Sequence, residues 1–216
     1  MTYKNLLFSS AIVLCLNSAS ADTNLNPIVV SSSVTPIDVH SSPSSAEVLT
    51  SIDISRKGYK NIPELLNSLS SISISTTGGL GQTTSIFTRG TESNHTKILL
   101  DGVELNPGTL GLSPIQNINI DTVDKVEIIK GSSAALHGAN SIGGVINIIT
   151  KNKDDSILIS SGSWSTNTAS LLKSYNYNNL NIQLGVNRKE SKSFQAKTNS
   201  TKRHAHNTEN MFLNID

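Results

Sequence analysis

A glycine-rich stretch between two strand-like runs constrains this chain most: residues 125–151 read KVEIIKGSSAALHGANSIGGVINIITK. The β-branched runs predict strands on both sides of a loop. A Walker-type phosphate loop needs G-x-x-x-x-G-K-[ST], but Ala139 and Asn140 follow Gly138 where Lys and Ser or Thr should stand. The G-x-G-x-x-G spacing of dinucleotide-binding folds is also missing. The glycines therefore indicate tight turns and close backbone approach, not a nucleotide site.

The N-terminus predicts export. Lys4 precedes an apolar run from Leu6 to Leu16, and the small residues of 19–21 (Ala-Ser-Ala) are typical of a signal-peptide cleavage site. We expect residues 1–21 to be removed. Cys15, the single cysteine of the chain, is lost with them, so the mature protein relies on neither disulfides nor thiolate chemistry.

Three segments follow the predicted signal peptide. Residues 22–45 are rich in Ser, Thr and Pro and predict a flexible arm. Residues 46–152 alternate short helical and strand-like patterns, and predict a compact α+β domain. Residues 153–216 contain longer alternating segments with an Asn178-Asn179 turn, the weak signature of an outer-membrane barrel. That signature also fits an adhesin or a soluble β-sandwich.

Local signals define the elements of the α+β domain. One helix is predicted from near Asp53 to Gly58, and a second begins after Asn61 as N-cap, with Pro63 in its first turn. Strands are predicted at AEVLT (46–50), SISIST (71–76), SIFTR (85–89), KILLDGVEL (97–105), KVEIIK (125–130) and GVINIIT (144–150).

The order and spacing of the motifs resemble a known family. The motifs are Phe87-x-Arg89-Gly90, Leu100-Asp101-Gly102-Val103, Val126-Glu127 with Gly131, and Gly138-x-x-x-Ile142-Gly143-Gly144-Val145-Ile146-Asn147. Together they resemble the plug domain of TonB-dependent outer-membrane receptors, closely over residues 26–150 and loosely beyond. The resemblance implies a mixed plug followed by the first antiparallel strands of a 22-stranded transmembrane β-barrel, of which this chain would be an incomplete N-terminal part.

The same resemblance implies the partners. The protein TonB, with its inner-membrane energising complex, would bind an extended box in the arm by β-augmentation. The predicted TonB box consists of Asn26, Pro27, Ile28, Val29, Val30, Ser31, Ser32 and Ser33. Its β-branched triplet favours a strand, whereas Pro27 lacks a donor and fits only with its nitrogen facing away from the partner.

The run GGLGQTTSIFTRGTESNH is most similar to the cobalamin receptors of the family. Carried over from them, the expected ligand-binding positions are Thr83, Ser85, Glu92, Leu110 and Gly111. Hydroxyl and backbone groups suit a large, neutral, amide-fringed ligand such as cobalamin; a ferric siderophore is the alternative. Glu92 departs from the amide expected there, because a carboxylate accepts hydrogen bonds but donates none.

The remaining motif residues are interpreted as structural. Charged residues in apolar strand contexts, namely Arg89, Asp101, Glu127 and Lys130, are expected to form ion pairs within the plug or with the barrel wall. The turn glycines of the motifs are Gly90, Gly102, Gly131, Gly138, Gly143 and Gly144.

Other functions find little support in the sequence. His204 and His206 form H-x-H without a third ligand, so no metal is expected, and no cofactor or catalytic constellation is indicated. The net charge of +1 gives no case for nucleic acid. Beside a receptor fragment in the outer membrane, a stand-alone periplasmic plug-like module and a secreted adhesin remain as alternatives.

Overall fold

The computed structural model describes residues 45–106, 111–131, 134, 137–151, 155–178, 180–192 and 205–215, together with the backbone of 28–29 and 37–38. The strands are β1 (Ile28–Val29), β2 (Ile37–Asp38), β3 (Ser45–Thr50), β4 (Ile72–Thr76), β5 (Thr84–Thr88), β6 (Thr96–Leu100), β7 (Val103–Glu104), β8 (Val123–Lys130), β9 (Gly144–Thr150), β10 (Ser156–Gly162), β11 (Thr166–Tyr177), β12 (Leu180–Ser191) and β13 (His206–Ile215). The two helices are α1 (Ser51–Lys57) and α2 (Ile62–Asn67).

Residues 45–151 form a mixed unit, called here the α+β unit. Its main sheet has the order β3-β8-β9-β6-β7, in which only the β6–β9 pair is parallel. A second sheet pairs β4 with β5. The predicted α+β fold is therefore confirmed for this part of the chain.

Both faces of the main sheet are covered. On one face, buried side chains of β8, β9 and β6 pack with α1, α2 and the β4–β5 pair in the larger apolar cluster. Leu65 and Leu66 of α2 are fully buried there. On the other face, Ile129 and Val145 pack with Leu99 and Ala134 in a smaller cluster. Burial on two faces explains the nearly continuous apolar runs of β8 and β9.

The predicted ends of the helices are confirmed, except that α1 begins earlier than expected. Gly58 ends α1 in the left-handed conformation (φ +70°), and the Asn61 side chain caps α2 by accepting from the Glu64 amide. The first helix begins at Ser51, two residues before the expected start, because Thr50 forms a capping box with Asp53.

One predicted strand is wrong as a single element. The run 97–105 splits into β6 and β7, which pair antiparallel with Leu100 opposite Val103. Asp101 and Gly102 both have positive φ (49° and 82°) and form the two-residue hairpin turn between them. Type I′ turns require this conformation and favour Asp-Gly, because their twist matches that of the strands they join.

Strands β10 to β13 form one antiparallel sheet in chain order, called here the four-stranded sheet. Its β11–β12 connection is the predicted turn: Tyr177 pairs with Leu180, and Asn178 has φ +55°. This confirms the antiparallel strands expected after the α+β domain. Neither β10 nor β13 has a second strand partner among the described residues.

The four-stranded sheet has one polar and one apolar face. The face toward the α+β unit buries mostly polar side chains: Thr168, Ser170, Leu172, Gln183, Asn187 and Ser191. The opposite face exposes Ile157, Ile159, Leu171, Tyr175, Tyr177, Leu180, Leu184, Val186, Met211, Leu213 and Ile215. This reverses the arrangement of a water-soluble sheet, whose exposed face is polar. Of the described residues, no helix has the length and apolar character needed to cross a membrane.

Candidate functional site

Asp101 ties the β6–β7 hairpin to the end of β9. Its carboxylate accepts hydrogen bonds from the Thr150 amide and the Thr150 hydroxyl, both at 2.8 Å. The Gly102 amide donates to Asn147 Oδ1 at 3.2 Å. Asp101 was expected in an ion pair, but among the described residues it pairs with no cation; it anchors a turn instead.

Arg89 also occupies a turn. Arg89 and Gly90 have φ of 54° and 79°, and the Thr91 amide donates to the Thr88 carbonyl at 3.0 Å across them. The Arg89 side chain is exposed and forms no salt bridge with a carboxylate in the described part of the chain, so the ion pair expected for it is not found within the α+β unit. The motif therefore places Arg89 at the rim of the unit, beyond the end of β5.

The other two charged motif residues form the predicted ion pairs. Glu127, whose side chain is fully buried, lies 2.8 Å from Lys125. Lys130 lies 3.0 Å from Glu47 of the neighbouring strand β3, and the Glu47 side chain is 40% exposed. The Lys130–Glu47 pair joins β8 to β3, whereas Glu127 and Lys125 lie on the same strand.

Close contacts with neighbouring atoms explain the two glycines at the start of β9, Gly143 and Gly144. A Cβ on Gly143 would lie 2.4 Å from Thr91 Oγ1, and one on Gly144 would lie 2.8 Å from the Ile129 carbonyl oxygen. Gly131 directly follows β8, Gly138 lies within the connection between β8 and β9, and both have positive φ. The interpretation of these glycines as turn and approach residues is confirmed.

Three of the predicted ligand positions lie around one short turn, the 3₁₀ turn Ser93–His95. Glu92 precedes this turn. Ser85 is followed by Ile86, whose amide donates to Ser93 Oγ at 2.9 Å. Gly111 packs against Asn94. Thr83 directly precedes β5, and its carbonyl accepts from the Thr77 amide at 3.1 Å. Leu110 is outside the described residues. The ligand roles of these positions stay predictions.

The TonB box lies mostly outside the described residues. Only the backbone of Ile28–Val29 is described, as strand β1 paired antiparallel with β2. Of the H-x-H pair, His204 is outside the described part, and His206 begins β13. Among the residues described, no three His, Cys, Asp or Glu side chains are grouped as a metal site requires.

The α+β unit meets the four-stranded sheet through neutral hydrogen bonds. Asn119 Nδ2 donates to Ser170 Oγ at 3.5 Å, Asn210 Nδ2 to the Asn117 carbonyl at 3.2 Å, and Asn214 Nδ2 to Thr150 Oγ1 at 3.3 Å. Both apolar clusters consist of residues of the α+β unit alone. The contact between the two parts is thus polar.

Cavities lie along this contact. One of about 590 Å³ is lined by Lys60, Asp121, Lys189 and hydroxyl side chains of β10 and β11. Burial raises the pKa of the Asp121 carboxyl, against the opposing effect of Lys189, Lys151 and Lys60. A second cavity, of about 280 Å³, is lined by residues such as Leu105, Thr122 and Phe212.

The loop before β5 touches the four-stranded sheet directly. A Cβ on Gly81 would lie 2.0 Å from His206 Nδ1, so the loop passes against the imidazole. Neither Gly81 nor the amides at the contact carried a role predicted from the sequence. For the amides of β12, the sequence signal that could have indicated the contact is the alternation of Asn181, Gln183 and Asn187 with apolar residues.

Comparisons with known proteins agree with this architecture. The family model described as the TonB-dependent receptor plug domain matches residues 38–145. The Vitamin B12 transporter BtuB of Vibrio cholerae serotype O1 (strain ATCC 39541) is 37% identical over 140 residues, covering 65% of this chain and 22% of the relative. The chain thus spans about a fifth of the length of the curated relatives it matches.

Solved structures share the fold. The ferripyoverdine receptor of the outer membrane of Pseudomonas aeruginosa matches with a TM-score of 0.64 at 21% identity, over 78% of this chain and 23% of that one. The ferric yersiniabactin uptake receptor FyuA of Yersinia pestis matches with a TM-score of 0.60 at 21% identity, over 80% and 28%. With the matching family model covering half of its residues, the chain belongs to the TonB-dependent receptor plug domain family.

Proposed function

We propose that this chain is the N-terminal part of a TonB-dependent outer-membrane receptor that takes up cobalamin. The observation that carries the proposal is a plug-family unit packed on the polar face of an antiparallel sheet whose other face is exposed and apolar. An apolar outer face fits lipid, and a polar inner face fits a filled lumen.

The proposal includes a division of the chain. Residues 1–21 are the signal peptide, 22–45 the arm with the TonB box at 26–33, 46–152 the plug, and 153–216 the first strands of a β-barrel. In this arrangement the plug closes the lumen, and TonB supplies the energy for uptake through the arm.

The choice of cobalamin over a ferric siderophore rests on sequence. The relative named a vitamin B12 transporter is 37% identical, whereas the siderophore receptors are 20–21% identical and share the fold alone. The described ligand positions Thr83, Ser85 and Gly111 offer hydroxyl and backbone groups, which suit the amides of a neutral ligand.

A cobalamin-requiring host that lacks its own receptor tests the proposal. The host expresses the whole reading frame containing this chain, and binding and uptake of labelled cyanocobalamin and of a ferric siderophore are measured. We expect saturable cobalamin binding in the outer membrane and uptake that supports growth. Siderophore binding without cobalamin binding, or no uptake of either, contradicts the proposal.

The TonB box is tested in the same cells by Val29→Pro. Proline removes a backbone donor from β1 and blocks strand addition, so uptake should fall at least about tenfold while surface binding stays unchanged. Ser42→Pro, in the arm outside the box, is the matched control and should transport normally. Uptake that tolerates Val29→Pro would place the TonB contact elsewhere.

A further inference from the structure

Two lysines, one from each part of the molecule, line the cavity of about 590 Å³ between the α+β unit and the four-stranded sheet. Lys60 lies between α1 and α2, and Lys189 lies on β12, on the face turned toward the α+β unit. Both also line the adjoining void of about 20 Å³, together with His206. We call the larger space the lysine cavity. Basic side chains therefore gather where the two parts of the molecule meet.

The two lysines are not neutralised by a direct ion pair. Among the described residues, neither Lys60 nor Lys189 forms a salt bridge with a carboxylate. At longer range, Asp121 attracts three lysines, Lys189, Lys151 and Lys60. Glu64 attracts Lys189 in the same way. Burial raises the pKa of the Asp121 carboxyl, so its negative charge is lost more easily than usual. In the described part of the chain, three lysines thus face two carboxylates here, and positive charge is in excess.

Hydroxyl groups form much of the cavity wall on the side of the four-stranded sheet. They belong to β10, β11 and the turn between these strands, and include Ser160, Ser163 and Thr168. A hydroxyl can donate a hydrogen bond to an oxyanion, and a lysine ammonium donates a stronger, charge-assisted one. A phosphate suits such a wall better than a carboxylate does, because its tetrahedral oxygens meet donors on several sides. The cavity volume also lies within the roughly 300–1,000 Å³ of small-molecule sites.

The lysine cavity borders a predicted ligand position. Leu80 lines the cavity and Gly81 lines the adjoining void, and both belong to the loop between β4 and β5. The carbonyl of Thr83 accepts from the Thr77 amide at 3.1 Å and so closes this loop. The same short loop therefore carries part of the cavity wall and the predicted ligand position Thr83.

We propose that the lysine cavity binds a phosphate group of the transported ligand, with Lys60 and Lys189 as its cationic contacts and hydroxyls of the four-stranded sheet as further donors. The inference rests on the proposed receptor function and deepens it by assigning one functional group of the ligand to one place. Asp121 balances part of the lysine charge before the phosphate binds. Cyanocobalamin fits this chemistry, because it is neutral overall yet contains one phosphodiester.

Protection of the lysines from acetylation tests the cavity directly. The receptor encoded by the whole reading frame is purified in detergent and acetylated in inorganic phosphate, or in sodium chloride of equal ionic strength. Mass spectrometry follows each lysine. Saturating phosphate should slow acetylation of Lys60 and Lys189 at least about threefold, and leave Lys57, exposed on α1, unchanged. Equal acetylation of Lys60 and Lys189 in both salts overturns the proposal, whatever the receptor transports.

Lysine variants test contact with the ligand. Lys60→Gln and Lys189→Gln should each weaken cyanocobalamin binding about tenfold, the worth of one charge-assisted hydrogen bond. Lys57→Gln is the matched control, because it makes the same change of charge three residues before Lys60 and outside the cavity lining; its binding should stay unchanged. Lys189→Arg keeps the charge and should keep most of the affinity. Unchanged binding in both glutamine variants overturns the subsite and leaves the receptor function intact.

Cobinamide, which keeps the corrin ring but lacks the phosphodiester and its nucleotide, identifies the group that is bound. Lys189→Gln should weaken binding of cyanocobalamin and leave binding of cobinamide unchanged. An equal loss for the two ligands would mean that Lys189 acts on folding or on another part of the ligand, and overturns the assignment. If the unmodified receptor binds neither ligand, the receptor function proposed for cobalamin fails, and the inference that rests on it fails with it.

Discussion

Glu127 shows how much a single buried charge depends on its partner. Its carboxylate has no exposed surface, and Lys125 lies two residues away on the same strand and the same face. The sequence predicted an ion pair for Glu127, since a charge in an otherwise apolar strand needs one. It could not rank this pair against the one at Lys130, because burial depends on which strand covers which face.

Removing Glu127 should be costly, and the exposed pair provides the comparison. Glu127→Ala is expected to lower the free energy of unfolding by about 3 kcal/mol, because Lys125, in a mostly buried site, loses the carboxylate 2.8 Å away. Glu47→Ala, which breaks the exposed pair with Lys130 in the same sheet, should cost about 0–1 kcal/mol. Urea denaturation of the chain, followed by circular dichroism, measures both. Equal losses would contradict the role given to burial.

Because Gly81 has no side chain, the loop before β5 can lie against His206 of the four-stranded sheet. Gly81→Ala should destabilise by about 2 kcal/mol or more, from the left-handed backbone (φ +77°) plus the clash with His206. Gly58→Ala is the control, since its φ is +70° but nothing lies within 4 Å, so only about 1 kcal/mol is expected. In a His206→Ala background the difference between the two should vanish. A difference that persists there would place the strain elsewhere.

At the scale of elements, most ends of helices and strands are set by residues that are close in sequence. The caps at Asn61 and Gly58 and the turn at Asn178 were predictable because each depends on neighbours in sequence. The Asp101-Gly102 hairpin carried an equally local signal, an Asp-Gly pair between apolar runs, and was missed by continuing the strand through it. The pairing of β3 with β8 could not be predicted, because it joins residues about 80 positions apart.

The capping box of α1 should respond to pH. The Thr50 hydroxyl, and then the Thr50 amide, hold the pKa of Asp53 below its usual range. The stabilisation is therefore fully present above the usual carboxyl pKa of about 3.9 and is lost as the pH falls through the lowered value. Thr50→Val should cost about 1 kcal/mol at neutral pH and less at about pH 3. A urea midpoint difference that is the same at both pH values would exclude the carboxylate from the cap.

At the scale of the whole molecule, the four-stranded sheet turns its apolar side outward. Alternation in β11 and β12 predicted a two-faced sheet, but alternation alone leaves open which face meets water. The structure decides, because Gln183 and Asn187 are buried toward the α+β unit while Leu184 and Val186 are exposed. The amides at the contact could not be predicted as a group, because their meeting depends on how the α+β unit packs on the four-stranded sheet.

The apolar outer face predicts a depth-dependent response to charge. Leu213→Arg, opposite Leu184 within the apolar band, should destabilise the membrane-inserted protein by about 2–4 kcal/mol. Asn207→Arg lies on the same face of the same strand, opposite Glu190 at the polar end, and should cost about 0–1 kcal/mol. Urea stability in outer-membrane vesicles of cells expressing the whole reading frame compares them. Equal costs would mean that this face does not meet lipid.

The chain enters its main sheet by an edge strand, β3, whose one sheet neighbour is β8. Six residue pairs join them, from Ser45 opposite Lys130 to Thr50 opposite Lys125. Tension applied to the preceding arm therefore loads the Ser45 pair first, and the pairs yield in succession instead of sharing the load. Release of β3 removes Leu49 from the larger apolar cluster and Ala46 and Val48 from the smaller one, while the three inner strands keep their pairing. A pull from the N-terminus is thus converted into the stepwise release of one strand.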